Sequence, residues 1–313
     1  MNKISEPDII VPADVAKDKR SEYVKNYLEL TKETGRIMLF AGDQKIEHLN
    51  DDFFDNSDKI AADDADPEHL FKIAEASPVS CLAVQAGYAA RYAPSYPKVP
   101  LLIKLNSKSH LAKAEQKDPL SQQLHTVDQA MNLKNNGVKV LAVGYTIYLG
   151  SEFENQMLTE ASQIVYQAHQ NGLLTVLWIY PRGKAVPDEK DAHLIAGACG
   201  AACCLGSDFV KVNYPKKEGQ KSEEIFKEAI KAAGRTGVIC AGGSSTDPGE
   251  FLERLHKQIT ISGAVGNATG RNIHQKPLAE AINFCKAIAS VTFADTDIAT
   301  ALKIYQGERD FRL

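Results

Sequence analysis

Short apolar runs alternate with longer amphipathic stretches along the chain from Arg36 to about Asn283. The apolar runs have the length of buried strands, and the stretches between them show helical periodicity. We predict eight strands, at Ile37–Ala41, Val79–Gln85, Leu101–Leu105, Val138–Gly144, Leu174–Tyr180, Phe209–Tyr214, Val238–Ala241 and Gly263–Gly266. The clearest helical patterns lie at Ser121–Asn136, Phe153–Gln170, Asp191–Leu205, Ser222–Ala233 and Pro248–Gln258.

Regular alternation of strands and helices favours a parallel sheet, and eight repeats in about 250 residues match a (β/α)₈ barrel in number and length. A doubly wound open sheet is the alternative, but no GxGxxG opens a helix after the first strand. We therefore predict an α/β protein with a single TIM-barrel domain over residues 1–313. Residues 1–35 cap the amino end with a helix near Tyr23–Thr34, residues 36–290 form the barrel, and residues 291–313 form a C-terminal extension.

Two helix starts have recognisable capping residues. Ser222 precedes Glu223 and Glu224, so it is expected to cap the helix that it opens. Asp247 is followed by Pro248, which suits an N-cap with proline in the first helical position.

Composition excludes several classes of function. The net charge is −4 without a dense basic block, so nothing favours nucleic acid or an anionic membrane as a partner. No apolar run approaches the ~18 residues of a spanning helix, and Met1–Arg20 lacks the apolar core of a secretory signal. The six cysteines do not form a zinc-binding pattern. We expect them to be reduced, which favours a cytoplasmic location.

Lys211 is the most unusual residue of the sixth predicted strand. Side chains alternate along a strand, so Val210 and Val212 would face the helices while Lys211 faces the barrel interior. Poor solvation there lowers the pKa of the amine, and a neutral amine attacks carbonyl groups. A lysine that reaches solvent at the strand end is the alternative. Trp178 and Tyr180 share the inward face of the neighbouring strand, so a phenol is available for proton transfer.

The loops after the last two strands have the composition of a phosphate site. Gly242 and Gly243 allow backbone N–H groups to approach an anion, Ser244 adds a hydroxyl, and Gly270-Arg271 adds a bidentate cation. A glycine pair alone is more often only a turn. TIM barrels, however, commonly bind phosphate after strands seven and eight.

Other lysines also merit attention. Lys104 lies in an apolar strand, and we predict that it points into the barrel and acts electrostatically on Lys211 or on the substrate. Lys45, Lys108 and Lys184 are candidates for a second phosphate, from their charge and loop position alone.

The chain resembles the archaeal-type class I fructose-1,6-bisphosphate aldolase family, whose relatives include an aminodideoxyheptulosonate synthase and an autoinducer-2 phosphate thiolase. The resemblance runs from Asp43 to about Ile273 and is strongest at Trp178-x-Tyr180-Pro181-Arg182-Gly183-Lys184, Asp208-Phe209-Val210-Lys211, Ala241-Gly242-Gly243 and Gly270-Arg271-Asn272-Ile273. Gly144-Tyr145-Thr146-Ile147-Tyr148 is closer to the aldolase branch than to the heptulosonate branch.

This resemblance implies reversible cleavage of fructose 1,6-bisphosphate to dihydroxyacetone phosphate and glyceraldehyde 3-phosphate. Lys211 would form the Schiff base, Tyr180 would be the acid/base, and Asp43 would orient substrate hydroxyls or water. Neither a cofactor nor a metal is expected, and the partners would be a sugar phosphate and further copies of the chain, for which a decamer is one assembly that the resemblance implies. The expected substrate-binding residues are Trp178, Lys104, His48, Gly242, Gly243, Ser244, Gly270 and Arg271.

Departures from the family pattern lie in two loops. Gln44-Lys45 follows Asp43 where the family usually has His-Gly, Leu49-Asn50 replaces Gly-Pro, and Leu149 replaces a common proline. These loops decide the substrate, so a related Schiff-base enzyme on another sugar phosphate, of the heptulosonate or autoinducer-2 type, stays open. A catalytically silent phosphate-binding barrel is a further alternative.

A metal-dependent aldolase or isomerase is the remaining alternative. His48, with Asp43 and Glu47, forms the only acid-rich histidine cluster of the sequence. We expect His48 to be a hydrogen-bonding loop residue instead. No partner is evident for the other histidines, which are His69, His110, His125, His169, His193, His256 and His274.

Overall fold

A computed structural model describes residues 3–56, 59–111 and 118–313. Eight parallel strands close into a barrel in sequential order, with the last strand paired to the first. They are β1 Ile37–Ala41, β2 Cys81–Gln85, β3 Leu101–Lys104, β4 Val140–Leu149, β5 Leu174–Pro181, β6 Phe209–Val212, β7 Gly237–Ala241 and β8 Gly266–Thr269. The predicted TIM barrel is confirmed. Residues 1–2 of the predicted capping segment, and 57–58 and 112–117 of the predicted barrel, lie outside the described ranges.

Helices connect the strands on the outside of the barrel. They are α1 Arg20–Leu30, α2 Gln44–Glu47, α3 Glu68–Glu75, α4 Ala86–Tyr92, α5 Val127–Asn135, α6 Glu154–Gln170, α7 Ala192–Cys204, α8 Ser222–Ile225, α9 Lys227–Ala233, α10 Pro248–Lys257, α11 Arg271–His274, α12 Leu278–Ala294 and α13 Ile298–Tyr305. Short 3₁₀ turns lie at Glu6–Asp8, Lys17–Lys19, Ala62–Ala65 and Ala93–Ser95, and a π-helical turn lies at Gln258–Ser262. Throughout the described ranges, no helix combines the length and apolarity that crossing a membrane requires.

The last strand departs most from the prediction. Gly263 is left-handed, at φ +91°, and ends the π-helical turn, so the predicted strand Gly263–Gly266 is wrong. β8 continues to Thr269 because its polar side chains are satisfied on the outside of the barrel. Asn267 donates to Thr292 of α12 at 3.0 Å, and Thr269 donates to Asn267 at 2.8 Å. This strand was not predicted because Asn267 and Thr269 interrupt its apolar pattern. The hydrogen-bond partner of Asn267 lies on α12, which is distant in sequence.

Two predicted helices also differ from the structure. α5 begins at Val127 and not at Ser121, because Gln123 forms an antiparallel bridge with Asn106 and Thr126 then caps the helix. The predicted helix Ser222–Ala233 is interrupted at Phe226 and forms α8 and α9.

The two capping predictions had different outcomes. Asp247 accepts hydrogen bonds from the backbone N–H groups of Gly249 and Glu250 at 2.8 and 3.1 Å, as predicted. Ser222 is not an N-cap: it is already the first residue of α8, and Lys221 occupies the cap without a side-chain bond.

Side chains of the barrel strands divide into two buried layers. Val210 and Val212 belong to the outer layer, between the sheet and the helices, together with Tyr145 and Ile147 of the long strand β4. Phe209, on the alternate face of β6, belongs to the inner layer. The alternation predicted for this strand is confirmed, and it turns Lys211 into the barrel.

The amino end of the barrel is covered by α1, which spans Arg20–Leu30 where the sequence predicted a helix near Tyr23–Thr34. Tyr27 stacks on Phe209, with ring centroids 5.9 Å apart, and Asn26 donates to the carbonyl of Gly172 at 2.8 Å. At the other end of the chain, α12 extends beyond residue 290, where the extension was predicted to begin, and packs against α13.

Candidate active site

Lys211 lies near the carboxyl end of β6 with 5 % of its surface exposed. Its Nζ is 5.2 Å from the centroid of the Trp178 ring, which occupies the register-matched position on β5. Burial lowers the pKa of Lys211 to about 8; Asp43 opposes this shift and Lys104 adds to it. A substantial fraction of the amine is therefore neutral near pH 8, which is the form that attacks a carbonyl.

Lys104 is a second buried cation beside the same aromatic ring. Its Nζ donates to Thr146 Oγ1 at 2.7 Å, is 3.4 Å from Asp43 Oδ2, and is 4.8 Å from the Trp178 centroid. The predicted inward direction of Lys104 is confirmed. Asp43 Oδ1 has no hydrogen-bond partner among the described residues, so one carboxylate oxygen is available to a bound molecule.

Tyr180 follows Trp178 on the inward face of β5 and lines the cavity. Burial raises the pKa of Tyr180 well above its usual value, and the charges of Glu47 and Asp43 raise it further. The phenol is therefore protonated at neutral pH and suited to donate a proton. The Arg182 guanidinium lies 6.0 Å from its ring and 5.4 Å from that of Tyr148.

Gly242, Gly243, Gly270 and Arg271, which the sequence predicted to bind phosphate, line the cavity. Gly243 has φ +76°, a conformation that glycine adopts readily. Ser244 is exposed, and the structure does not place it in the described lining of the cavity. The cavity has a volume of about 210 Å³ and is lined by Gln44, Glu47, His48, His110, Trp178, Tyr180, Arg182, Lys211, Asn213, Ala241, Gly242, Gly243, Ala268, Gly270 and Arg271.

Comparison with known proteins agrees with this geometry. Residues 37–276 match the model of the DeoC/LacD family aldolase. The chain belongs to the DeoC/LacD aldolase family. It is 56% identical over 310 residues to "Fructose-bisphosphate aldolase/6-deoxy-5-ketofructose 1-phosphate synthase" of Methanocaldococcus jannaschii, covering 99% of this chain and 98% of the relative. It is 32% identical over 280 residues to "Fructose-bisphosphate aldolase class 1" of Thermoproteus tenax, covering 90% and 98%.

Solved structures extend this similarity. A fructose-bisphosphate aldolase from Slackia heliotrinireducens superposes with a TM-score of 0.97 at 54% identity, over 100% of this chain and 98% of that one. An archaeal fructose-1,6-bisphosphate aldolase superposes with a TM-score of 0.74 at 33% identity, over 87% and 99%. That second protein was solved with its catalytic lysine covalently bound to the carbinolamine intermediate of the substrate.

Glu47 and His110 also line the cavity, and the sequence did not reveal their contacts. Glu47 accepts a hydrogen bond from Tyr148 at 2.9 Å, and its carboxylate lies 3.4 Å from His110 Nε2. Burial raises the pKa of Glu47, but His110, Lys104 and Tyr148 together hold it below its ordinary value. The structure gives His110 a partner that was not evident from the sequence. His110 follows β3, so its position in a loop at the carboxyl end of a strand was the available signal.

Asn272 is a further residue whose contacts the sequence did not reveal, although it belongs to the motif that carried the resemblance. Its amide Nδ2 donates to the carbonyls of Gly242 and Ser244 at 3.3 and 3.0 Å. Its Oδ1 accepts from the Thr246 backbone at 3.0 Å. Asn272 therefore ties the loop after β7 to the helix after β8.

The candidates for a second phosphate are already engaged. Lys184 forms an ion pair with Asp118 at 2.8 Å, and Lys45 lies 4.5 Å from the Phe53 centroid. Arg182, which was not among these candidates, is held by Glu189 through two hydrogen bonds of 2.7 and 2.8 Å. Lys108 lies 6.0 Å from the Tyr148 ring.

Among the described residues, one group could coordinate a metal ion. It consists of Glu47, His48 and His110, whose ligand atoms lie within 4.8 Å of one another. The cluster predicted from sequence contained Asp43 in place of His110. Lys104 acts electrostatically on Glu47, and this positive charge opposes a divalent cation. The expected absence of a metal stays a prediction.

Three other histidines without an evident partner in the sequence are buried and hydrogen-bonded in the structure. His69 contacts backbone carbonyls, His169 lies between Asp14 and Asp208, and His274 lies against Asp64.

Proposed function

We propose that the protein is a class I fructose-bisphosphate aldolase that cleaves fructose 1,6-bisphosphate reversibly through a Schiff base on Lys211. The observation that carries this proposal is a buried lysine with a pKa of about 8 at the barrel mouth, beside a protonated phenol. The relatives and the superposed structures are named as fructose-bisphosphate aldolases, which supports the same reaction.

The reaction begins when the neutral amine of Lys211 attacks the substrate ketone at C2. Loss of water from the carbinolamine gives an iminium ion, which accepts the electron pair of the C3–C4 bond as that bond breaks. The aldehyde product leaves and an enamine remains on Lys211. Protonation at C3 and hydrolysis of the imine then release dihydroxyacetone phosphate.

Two proton transfers accompany these steps. Asp43 has an oxygen without a partner among the described residues, so it accepts the proton of the C4 hydroxyl as the C3–C4 bond breaks. Tyr180, held in the phenol form by its raised pKa, donates a proton to C3 of the enamine. Transfer of a proton from Asp43 to Tyr180 restores the resting enzyme.

The ketose phosphate is held by the wall that contains Gly242, Gly243, Gly270 and Arg271. The glycines allow close approach of backbone N–H groups, and the guanidinium forms charge-assisted hydrogen bonds. Lys104, His48 and Trp178 complete the proposed binding set. Ser244 joins it only if its loop moves inward when phosphate binds.

A second candidate activity is synthesis of 6-deoxy-5-ketofructose 1-phosphate, which appears in the name of the Methanocaldococcus relative. This product divides between C3 and C4 into dihydroxyacetone phosphate and a three-carbon ketoaldehyde without phosphate. The donor half is therefore the same. Among the described residues, Arg182 and Lys184 are held by Glu189 and Asp118, and cations that are already paired suit an unphosphorylated acceptor.

Cleavage of fructose 1,6-bisphosphate by the purified protein, measured with and without EDTA, tests the proposed reaction. We expect cleavage that EDTA does not reduce. Loss of cleavage on EDTA treatment would favour a metal enzyme built on Glu47, His48 and His110. Binding of the sugar phosphate without turnover would identify a silent barrel.

The remaining expectations belong to the same proposal. Six free cysteines fit a cytoplasmic location. A single domain and a homo-oligomer, with a decamer as one candidate assembly, stay predictions, and sedimentation of the purified protein measures the oligomeric state.

A further inference from the structure

Gln44 occupies a position at which the archaeal-type class I fructose-1,6-bisphosphate aldolases usually have histidine. The proposed reaction does not use Gln44. We propose that Gln44 determines specificity for the phosphate of the ketose donor, and that the buried pair His274–Asp64 positions its amide. This inference rests on the proposed function for the identity of the phosphorylated ligand.

The Gln44 side chain lies between the first loop and the proposed phosphate grip. Gln44 opens α2 and lines the cavity together with Arg271. Its amide packs directly on the α-carbon of Gly270, since a Cβ at position 270 would collide with both Gln44 Oε1 and Nε2. Gly270 therefore makes room for the glutamine amide, immediately before the arginine that is expected to bind phosphate.

His274 and Asp64 hold this amide from behind. Both side chains are fully buried, and His274 Nδ1 lies 2.7 Å from Asp64 Oδ2. The other ring nitrogen, Nε2, is 3.3 Å from Gln44 Oε1. The imidazole is fixed in its plane by Phe53, whose ring stacks on it at 4.7 Å and 4°. The result is a chain of three polar side chains that leads from the protein interior to the cavity wall.

The direction of these hydrogen bonds determines which end of the Gln44 amide faces the cavity. An amide oxygen can only accept a hydrogen bond, so the 3.3 Å contact makes His274 Nε2–H the donor to Gln44 Oε1, while one proton lies between His274 Nδ1 and Asp64 Oδ2, which are 2.7 Å apart. The amide nitrogen of Gln44 and its two hydrogens then remain for the cavity. If His274 accepted at Nε2 instead, the amide would turn over and direct its carbonyl oxygen at the phosphate, which is repulsive. Asp64 and His274 are therefore positioning residues for a phosphate donor.

Trp178 provides a direct binding assay, because it is the only tryptophan and lies against both Lys211 and Lys104. Its fluorescence is titrated with dihydroxyacetone phosphate, inorganic phosphate and unphosphorylated dihydroxyacetone. Gln44→Met keeps the length of the side chain and removes the donor. We expect about 10- to 100-fold weaker binding of the two phosphate ligands, the scale of one hydrogen bond to a charged group, and unchanged binding of dihydroxyacetone.

Two further variants test whether Gln44 donates a hydrogen bond to the phosphate or only lines the cavity. Gln44→Glu places a carboxylate against the phosphate and is expected to weaken phosphate ligands more than Gln44→Met. Asp64→Asn, which reaches Gln44 through His274, is expected to weaken them by roughly tenfold at unchanged affinity for dihydroxyacetone. Gln275→Met is the matched control, since that glutamine donates to the Asp52 carbonyl and should leave all three affinities as in the wild type.

Equal binding of dihydroxyacetone phosphate by Gln44→Met and wild type would overturn the inference, as would an equal loss of phosphorylated and unphosphorylated ligand. If Asp64→Asn does not fold, the two Gln44 variants still decide whether Gln44 is the donor. Borohydride reduction of the wild type with dihydroxyacetone phosphate checks the proposed function separately. A wild type without an adduct refutes the proposed function, whereas an adduct combined with unaltered Gln44→Met affinity refutes only the inference.

Discussion

Asp208 at the amino end of the barrel and Asp43 at the carboxyl end are both carboxylates with nearly inaccessible side chains, 3 % and 5 % exposed. Asp208 accepts hydrogen bonds from Tyr23 at 2.5 Å and from the Thr175 backbone and hydroxyl at 2.7 and 3.0 Å. His169 Nε2 lies 3.2 Å away. Asp43 has one oxygen 3.4 Å from the Lys104 ammonium and one without a hydrogen-bond partner among the described residues.

The same contrast holds for the basic groups at the two ends. Burial lowers the pKa of both His169 and Lys211, but the two carboxylates around His169 outweigh burial and raise its pKa to about 9. Around Lys211 burial prevails, and its pKa falls to about 8. At the amino end, buried charges are therefore stabilised by hydrogen bonds and ion pairs within the protein. At the carboxyl end, some buried polar groups lack a full set of such partners, so they can form new hydrogen bonds with a substrate.

Among the substitutions at Tyr180, Asp208 and Lys104, the one at Tyr180 should reduce turnover the most. Tyr180→Phe keeps the ring and its packing but removes the exchangeable proton. We expect turnover to fall by roughly 10²–10⁴, the scale of one acid/base group, while covalent trapping of substrate persists. Steady-state kcat and borohydride trapping measure the two effects. Near wild-type kcat would assign the role to Tyr148 or Asp43, since the Tyr145 hydroxyl points outward to Glu160.

Much of this contrast was accessible from the sequence. Apolar runs located the strands, and alternation along β6 turned Lys211 inward because a two-residue period leaves only two faces. Loop position gathered Asp43, Tyr180 and Arg271 at one end of the barrel. These predictions rest on local pattern and on the geometry of parallel strands.

What the sequence did not reveal depends on pairing between distant residues. His274 meets Asp64 and Glu47 meets His110 only because the barrel closes. Asn267 and Thr269 occupy β8 because α12 supplies a hydrogen-bond partner to Asn267, which in turn accepts from Thr269. Ser222 lost its expected capping role because the chain enters α8 one residue earlier. No period or motif encodes such contacts.

At the amino end, the prediction concerns stability and not turnover. Asp208→Asn removes the buried one of the two carboxylates beside His169, and with it the charged acceptor of the hydrogen bonds from Tyr23 and Thr175. We expect it to reduce the free energy of unfolding by about 3–5 kcal/mol, with kcat unchanged. Asp14→Asn is the control, since Asp14 is 38 % exposed at 2.9 Å from His169 and should cost about 1 kcal/mol or less. Urea unfolding measures both, and a kcat that falls with Asp208→Asn would erase the distinction between the two ends.

The smallest expected effect is a shift of the pH profile. The reaction needs the neutral amine of Lys211, so kcat/KM should rise with pH up to the pKa of about 8 and level off above it. Lys104 lowers the pKa of Lys211, so Lys104→Met should move the rising limb to higher pH. Lys134→Met, which breaks an ion pair with Glu22 at the amino end, should leave the limb in place. A limb that is unmoved or displaced to lower pH by Lys104→Met would contradict the electrostatic role of Lys104.

Reduction with borohydride in the presence of dihydroxyacetone phosphate, followed by peptide mass spectrometry, tests the central assignment most directly. We predict an adduct on the peptide that contains Lys211 in the wild type and in Tyr180→Phe. Lys104→Met should still form the adduct. Lys211→Met should form none and should lose turnover on the order of 10⁶-fold, as when a covalent nucleophile is removed. An adduct on Lys104, or one that survives Lys211→Met, would contradict the assignment of Lys211 as the Schiff-base lysine.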